Sequence, residues 1–294
     1  METLYKDIYK LTDIRPLGDA EYKRFQRLIL QRSGIYLADS KKSLLIGRLI
    51  GRIHRLGMKS FEDYYNCAIA DPREMGELLD CICTNETKFF REPAHFEYLE
   101  QTIIPRFIAE NKRGVRGMTV RVWSAACSTG EEAYSLAMSL CWHLPSTSGW
   151  KVEIWATDLS RHALAQARRG TWSIAQQSQV PRHYLKRYML RGVRGQRGMM
   201  AAGNALRSVL TFERINLNDD AYPRHGPFDI IFCRNVLIYF ESQARIRVIR
   251  KLFDCLAHDG YFFMGHSESL FNDTIRSYNV MPNVYTKSSV LSWP

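Results

Sequence analysis

The rhythm of apolar and polar positions changes once along the chain, between residues 84 and 118. Before that stretch the spacing is helical. Residues 20–31 place Tyr22, Phe25, Leu28 and Leu30 near a helical period, and Ser33-Gly34 breaks it. A second helix is predicted over 39–56, stopped at Gly57. Two shorter ones follow over 60–70 and 71–83, the latter opened by Asp71-Pro72, a cap and first-turn pair. After residue 118, apolar runs at 119–124, 152–156, 228–233, 261–265 and 284–287 read as strands. Amphipathic stretches at 131–143, 161–168 and 242–256 read as helices. The run FDIIFC (228–233) is apolar at nearly every position, as in a strand buried on both faces of a parallel sheet. Strands alternating with helices predict a doubly wound α/β sheet. The expected organisation is an all-helical domain over 1–84, a linker over 85–118 and an α/β domain over 119–294. Between about 170 and 212 the pattern weakens, and Arg182, Lys186, Arg187, Arg191, Arg194 and Arg197 mix with glycines in an expected insertion.

Composition adds limits. The 294 residues are 46% hydrophobic and 24% charged, enough apolar material for a sizeable core. No run reaches the ~18 apolar residues of a membrane-spanning helix. Residues 1–10 carry no apolar leader pattern, so the expected compartment is the cytoplasm. Seven cysteines without a C-x-x-C pair read as free thiols, and Cys81, Cys83 and His95 match no common ligand spacing, so no metal is expected. The net charge of +11 favours an acidic partner without choosing among nucleic acid, protein and lipid.

The sharpest local chemistry follows the strand at 119–124. There AACSTG (125–130) leads into Glu131-Glu132 at a helix start. In doubly wound folds this turn lies at the carboxyl edge of the sheet, where ligands bind. Only Gly130 is a glycine, so it is no dinucleotide fingerprint, and two acids at a helix start disfavour a pyrophosphate. A cofactor bearing positive charge suits them better, and S-adenosyl-L-methionine carries an ammonium and a sulfonium. Asp158, ending the next strand, is placed to accept ribose hydroxyls, or else to cap the helix that follows. Asn216 and Asn235 extend the edge. Asn216 reads either as an adenine contact or as a turn residue, and the Arg234-Asn235 pair, set between apolar runs, needs folded-state partners.

Together these segments resemble the CheR family of chemotaxis receptor methyltransferases. The resemblance rests on NETKFFREP (85–93), RVWSAACSTGEE (121–132), ATD (156–158), INL (215–217), FDIIFCRNVLIYF (228–240) and GHSE (265–268), in the family's order. It implies a Rossmann-like class I methyltransferase sheet, a helical receptor-facing N-terminal domain and a small inserted β-subdomain. It also implies cofactor contacts from Asn85, Thr87, Arg91, Glu132, Asp158, Asn216, Leu217, Asn235 and Val236, with the 85–118 linker contributing to that site. Arg91 and Tyr239 would stand beside the transferring methyl group. The expected reaction gives glutamyl methyl esters on methyl-accepting chemotaxis receptors and releases S-adenosyl-L-homocysteine. In some members the insertion docks a receptor C-terminal peptide.

For the receptor surface, Arg48, Arg52, Arg55 and Lys59 fall on one helical stripe in a run without acids, either a solvated face or a match for glutamate-rich helices. A nucleic-acid methyltransferase and a non-catalytic S-adenosylmethionine-binding module are the alternatives. The stripe holds no base-stacking aromatic motif, so nucleic acid is not the expected partner, nor is membrane insertion.

Overall fold

The computed structural model describes residues 13–222, 226–268 and 277–289; residues 1–10, on which the expectation of no leader rests, lie outside them. Two compact units divide the chain. One holds residues up to Thr84 together with Asn216–Asp219 and Tyr239–Arg245, and the other holds Asn85–Ile215, Asp220–Ile238 and the chain from Ile246 on.

In the helical unit, α1 (Asp19–Ser33) begins where Glu21 reaches back to the Gly18 amide at 2.7 Å. It ends at Gly34, whose φ of 74° and whose closeness to Phe240, 2.8 Å from any added Cβ, leave room for glycine alone. A short 3-10 turn (Asp39–Lys41) leads into α2 (Lys42–Arg55). Next comes α3 (Phe61–Ala70), capped by the Ser60 hydroxyl, which accepts from the Asp63 amide at 3.0 Å. The Asp71 carboxylate caps α4 (Pro72–Ile82) in the same way, through the Arg73 amide at 2.8 Å. Phe25, Leu45, Leu49, Ile53, Phe61, Tyr64 and Leu78 fill the interior.

The second unit opens with α5 (Pro93–Tyr98), a π turn (Leu99–Ile103) and α6 (Ile104–Lys112). Residues 85–118, expected as a linker, therefore supply core: Phe96, Leu99, Ile103 and Phe107 are buried in the same cluster as Val122, Ile230 and Phe263. The elements that follow are β1 (Thr119–Ala125), α7 (Glu131–His143), β2 (Lys151–Asp158), α8 (Arg161–Arg169), β3 (Thr171–Ser173), α9 (Arg182–Tyr188), β4 (Met189–Arg191), β5 (Met199–Ala202), α10 (Asn204–Arg207) and β6 (Leu210–Arg214). The rest are β7 (Phe228–Cys233), α11 (Ser242–Cys255), β8 (Leu256–Met264), β9 (Tyr278–Met281) and β10 (Val284–Thr286).

The main sheet runs β6-β2-β1-β7-β8-β10-β9. Strands β6, β2, β1, β7 and β8 are parallel, and β10 runs antiparallel to both its neighbours. As its apolar run predicts, β7 is buried along almost its whole length. A separate antiparallel sheet, β3-β5-β4, forms the insertion. Leu210–Arg214 pairs with β2 in the main sheet, so the insertion closes before residue 210 and not at 212. The class I methyltransferase-like sheet with its helical N-terminal unit and inserted β-sheet is the expected architecture. Among the described residues no helix is long and apolar enough to cross a membrane.

Candidate active site

Strand order reverses between β1 and β7, and their carboxyl ends, Ala125 and Cys233, open the crevice where such sheets bind ligands. The backbone around it is unusual. Phe90, Glu92, Ala126, Ser128, Gly130 and Asn235 all have positive φ, from 49° to 101°. Left-handed non-glycine residues cost of order 1–3 kcal/mol each and persist only where surrounding bonds hold them. At Gly130 a side chain is excluded twice, by its φ of 101° and by Ala167, whose Cβ would lie 3.0 Å from an added Cβ.

Asp158, ending β2, is one such tie. Its carboxylate accepts the Ser128 and Ser160 amides, both at 2.8 Å, and the Ser128 hydroxyl donates to the Asn85 carbonyl at 3.0 Å. Helix α8 is capped by Ser160 itself, which accepts from the Ala163 amide at 3.1 Å. Capping is therefore not what Asp158 is for. A carboxylate oxygen accepts more than one bond, so this buried acid retains the chemistry to take ribose hydroxyls.

Arg234 is the second tie, and it supplies the partners that the Arg-Asn pair required. Its side chain is 1% exposed. Nε donates to Glu132 at 2.8 Å, and Nη1 donates to the Arg91 carbonyl at 2.8 Å and to Glu92 at 3.3 Å. His95 Nδ1 lies 3.1 Å from Nη1 and is thereby an acceptor. Burial, reinforced by the Arg234 charge, pushes the His95 pKa down to about 4, so this ring is neutral. Burial pushes the Glu92 carboxyl up, but Arg234 and bonds from Asn235 and the His266 amide outweigh it and hold the group below its usual range. Glu92, His95 and His266 bring ligand atoms within 4.8 Å of one another. The Arg234 guanidinium against the first two would repel a dication there.

Glu131 and Glu132 do not stand open at the start of α7, because Thr129 donates to Glu131 at 2.6 Å and Ser124 and Arg234 hold Glu132. Glu268, which sequence reasoning did not single out, is buried and gathers backbone amides of 235–238 and Gly265.

The sheet unit thus brings Asn85, Arg91, Glu132, Asp158, Asn235 and Val236 into linked loops, with the half-buried Thr87 in the first of them. Asn216, Leu217 and Tyr239 belong to segments grouped with the helical unit. There Asn216 Oδ1 accepts the Asn218 amide at 3.1 Å and its Nδ2 donates to the Arg32 carbonyl at 2.7 Å, so the turn role is filled. Leu217 is buried, while Tyr239 is 37% exposed and its carbonyl accepts the Tyr36 amide at 2.8 Å. Helix α2 ends at Arg55, so Lys59 lies beyond it and the four basic residues do not form one helical stripe; most of them are engaged within the unit. Arg48 donates to the Cys83 carbonyl at 2.9 Å, Arg52 grips Glu74 with two nitrogens, and Lys59 pairs with Asp13 at 2.8 Å. Arg48, Arg55 and Lys59 are exposed, and among the described residues Arg55 alone of the four has no such partner.

Comparison with known proteins decides the family. The profile "CheR methyltransferase, SAM binding domain" matches residues 85–285, and "CheR methyltransferase, all-alpha domain" matches residues 20–83. The chain belongs to the CheR methyltransferase family. It is 36% identical over 276 residues to a chemotaxis protein methyltransferase of Salmonella typhimurium, covering 93% of this chain and 91% of that one. To its counterpart in Escherichia coli it is 37% identical over 265 residues, covering 89% and 88%. A chemotaxis protein methyltransferase of Borreliella burgdorferi is 34% identical over 271 residues, covering 91% and 94%. This CheR-family chain is a methyltransferase that uses S-adenosyl-L-methionine. Its carboxyl edge fits that cofactor: Glu92, Glu131, Glu132, Asp158 and Glu268 outnumber Arg91 and Arg234, so the field favours a cation.

Proposed function

We propose that the protein methylates glutamate side chains of methyl-accepting chemotaxis receptors, in the cytoplasm, as part of receptor adaptation. Arg91 carries this reading. Its Nη1 donates to the Glu86 carbonyl at 3.2 Å, and among the described residues its guanidinium has no carboxylate partner on an edge rich in acids. A guanidinium so placed suits a substrate carboxylate, which it can hold bidentately.

When bound, the cofactor supplies an electrophilic methyl on a sulfonium. Asp158 would take the ribose hydroxyls, and Asn85, Thr87, Glu132, Asn216, Leu217, Asn235 and Val236 would complete its contacts. Arg91 would orient the glutamate, with Tyr239 as a second orienting group. No general base is required, because a glutamate of pKa about 4.3 is already an anion at neutral pH. The protein has to align and desolvate two oppositely charged reactants. Arg55 on the receptor-facing helical unit would steer the encounter, a smaller role than a four-residue stripe would have played.

A second contact is supported by the insertion. No acid occurs between Asp158 and Glu213, and β4 is an edge strand, with Leu190 and Val193 exposed among Arg191, Arg194 and Arg197. An edge strand with such a loop suits a receptor C-terminal peptide by strand addition. The test is methyl-labelled cofactor with receptor membranes. Alkali-labile label on the receptor is expected, and Arg91→Ala should lower turnover by about 100-fold or more while S-adenosyl-L-homocysteine affinity stays within about tenfold. Base-stable label, or label on RNA alone, would sink the reading; cofactor binding without transfer would make the chain an interaction module.

A further inference from the structure

Glu268 is 2% exposed, and among the described residues it forms no ion pair. Its partners are backbone amides. Oε2 accepts those of Asn235 at 2.9 Å and Gly265 at 2.7 Å, while Oε1 accepts those of Val236 at 3.0 Å, Leu237 at 2.7 Å and Ile238 at 3.3 Å. A buried carboxylate without a counter-cation is tolerated only when dipoles solvate it. Four successive amides turned onto one anion fix the conformation of that segment. The turn starts at Asn235, where φ is 59°, and the Asn235 amide side chain donates to Glu92 at 3.2 Å. Gly265 lets the parts close: a Cβ there would lie 2.5 Å from Asn235 Nδ2 and 2.9 Å from Glu268 Oε2.

We infer that Glu268 is a positioning residue for cofactor binding, an internal anion that moulds the 235–238 backbone so that Asn235 and Val236 meet the cofactor. The inference rests on the reading of those two residues as cofactor contacts. It differs from a plain structural staple, which would hold the fold together without setting affinity.

Glu268→Gln puts an amide NH2 against one of the two sets of donors. Calorimetry on the folded variant should give an S-adenosyl-L-homocysteine Kd raised about tenfold or more, with KM for the methyl donor rising in step and KM for the receptor unchanged. Gly265→Ala should raise the same Kd from the other side of the turn. A Kd within about twofold of wild type in folded Glu268→Gln overturns the proposal, even if its Tm falls, since a staple would behave so. A wild-type protein that binds no S-adenosyl-L-homocysteine would instead sink the cofactor-site reading. If Glu268→Gln does not fold, amide exchange in the wild type decides. The 235–238 amides should exchange slowly, and more slowly still with S-adenosyl-L-homocysteine; fast or ligand-insensitive exchange overturns the inference.

Discussion

At opposite ends of the same parallel strands an arginine sits among carboxylates. Arg116, by the amino ends, donates to Glu110 at 2.9 Å, Asp229 at 2.5 Å and Asp259 at 2.7 Å, with its guanidinium 3.9 Å over the Phe107 ring. Arg234, by the carboxyl ends, is clamped by Glu92 and Glu132. The chemistry is alike and the settings are not. Asp259 is 41% exposed, and among the described residues every left-handed position near Arg116 is a glycine. Around Arg234 the partners are buried, and left-handed backbone occurs at Phe90, Glu92 and Asn235. An ion cluster by itself therefore does not mark a site. Buried charge coupled to strained backbone at the carboxyl edge does.

The strongest way to break this comparison is Arg234→Met. It leaves Glu92 and Glu132 buried without a cation, so the loss of stability should be about 3–5 kcal/mol by urea unfolding, with weakened cofactor affinity in whatever folds. A loss no greater than that of Arg116→Met would erase the distinction.

The next effect is on pH dependence. Buried His95 faces Arg234, Glu92 and His266, and its folded pKa of about 4 lies below the ordinary 6.5. The unfolded chain therefore binds the proton first, and stability falls as pH drops from 6.5 towards 4, by on the order of 3 kcal/mol. Glu92, held low, keeps its contribution above the unfolded carboxyl range and loses it only under more acid conditions. Urea titrations at pH 7 and pH 4.5 should show the drop shrinking in His95→Gln; an equal drop in both proteins would remove His95 as its source.

Arg116→Met should cost about 1–3 kcal/mol, because two of its three carboxylate partners reach some solvent when abandoned. Cofactor affinity per folded molecule should not change. A changed Kd would mean that the amino edge also sets the site.

The two clusters also differ in how legible they are in the sequence. Strand β7 and helix α7 could be bounded to the residue, because FDIIFC has no polar interruption and Gly130 and the run after His143 punctuate α7. Asp158 and Arg91 are readable as candidates from a strand end and a motif. Arg234 was readable only as a residue needing partners. Those partners, Glu92 and Glu132, are distant in sequence, and no periodicity links them. Glu268 enters the sequence only as the end of the GHSE motif and its role is not legible there, since its five donors are backbone groups that every sequence carries. The basic run 48–59 misled for the complementary reason: Glu74 and Asp13, which neutralise Arg52 and Lys59, become neighbours only on folding. Strand β9 was missed because its pairing to β10, and not its own short pattern, makes it a strand.

The finest test of the contrast removes one carboxylate from each cluster. Asp259→Asn deletes the most exposed partner of Arg116 and leaves Glu110 and Asp229 in place, so the change should stay within about 1 kcal/mol. Glu92→Gln at the other edge removes a buried acceptor that also holds Asn235 and the His266 amide, and should cost more than its counterpart. If the two substitutions prove equal in urea unfolding, burial and backbone strain add nothing to the carboxyl-edge cluster, and the reason for assigning it to the site falls away.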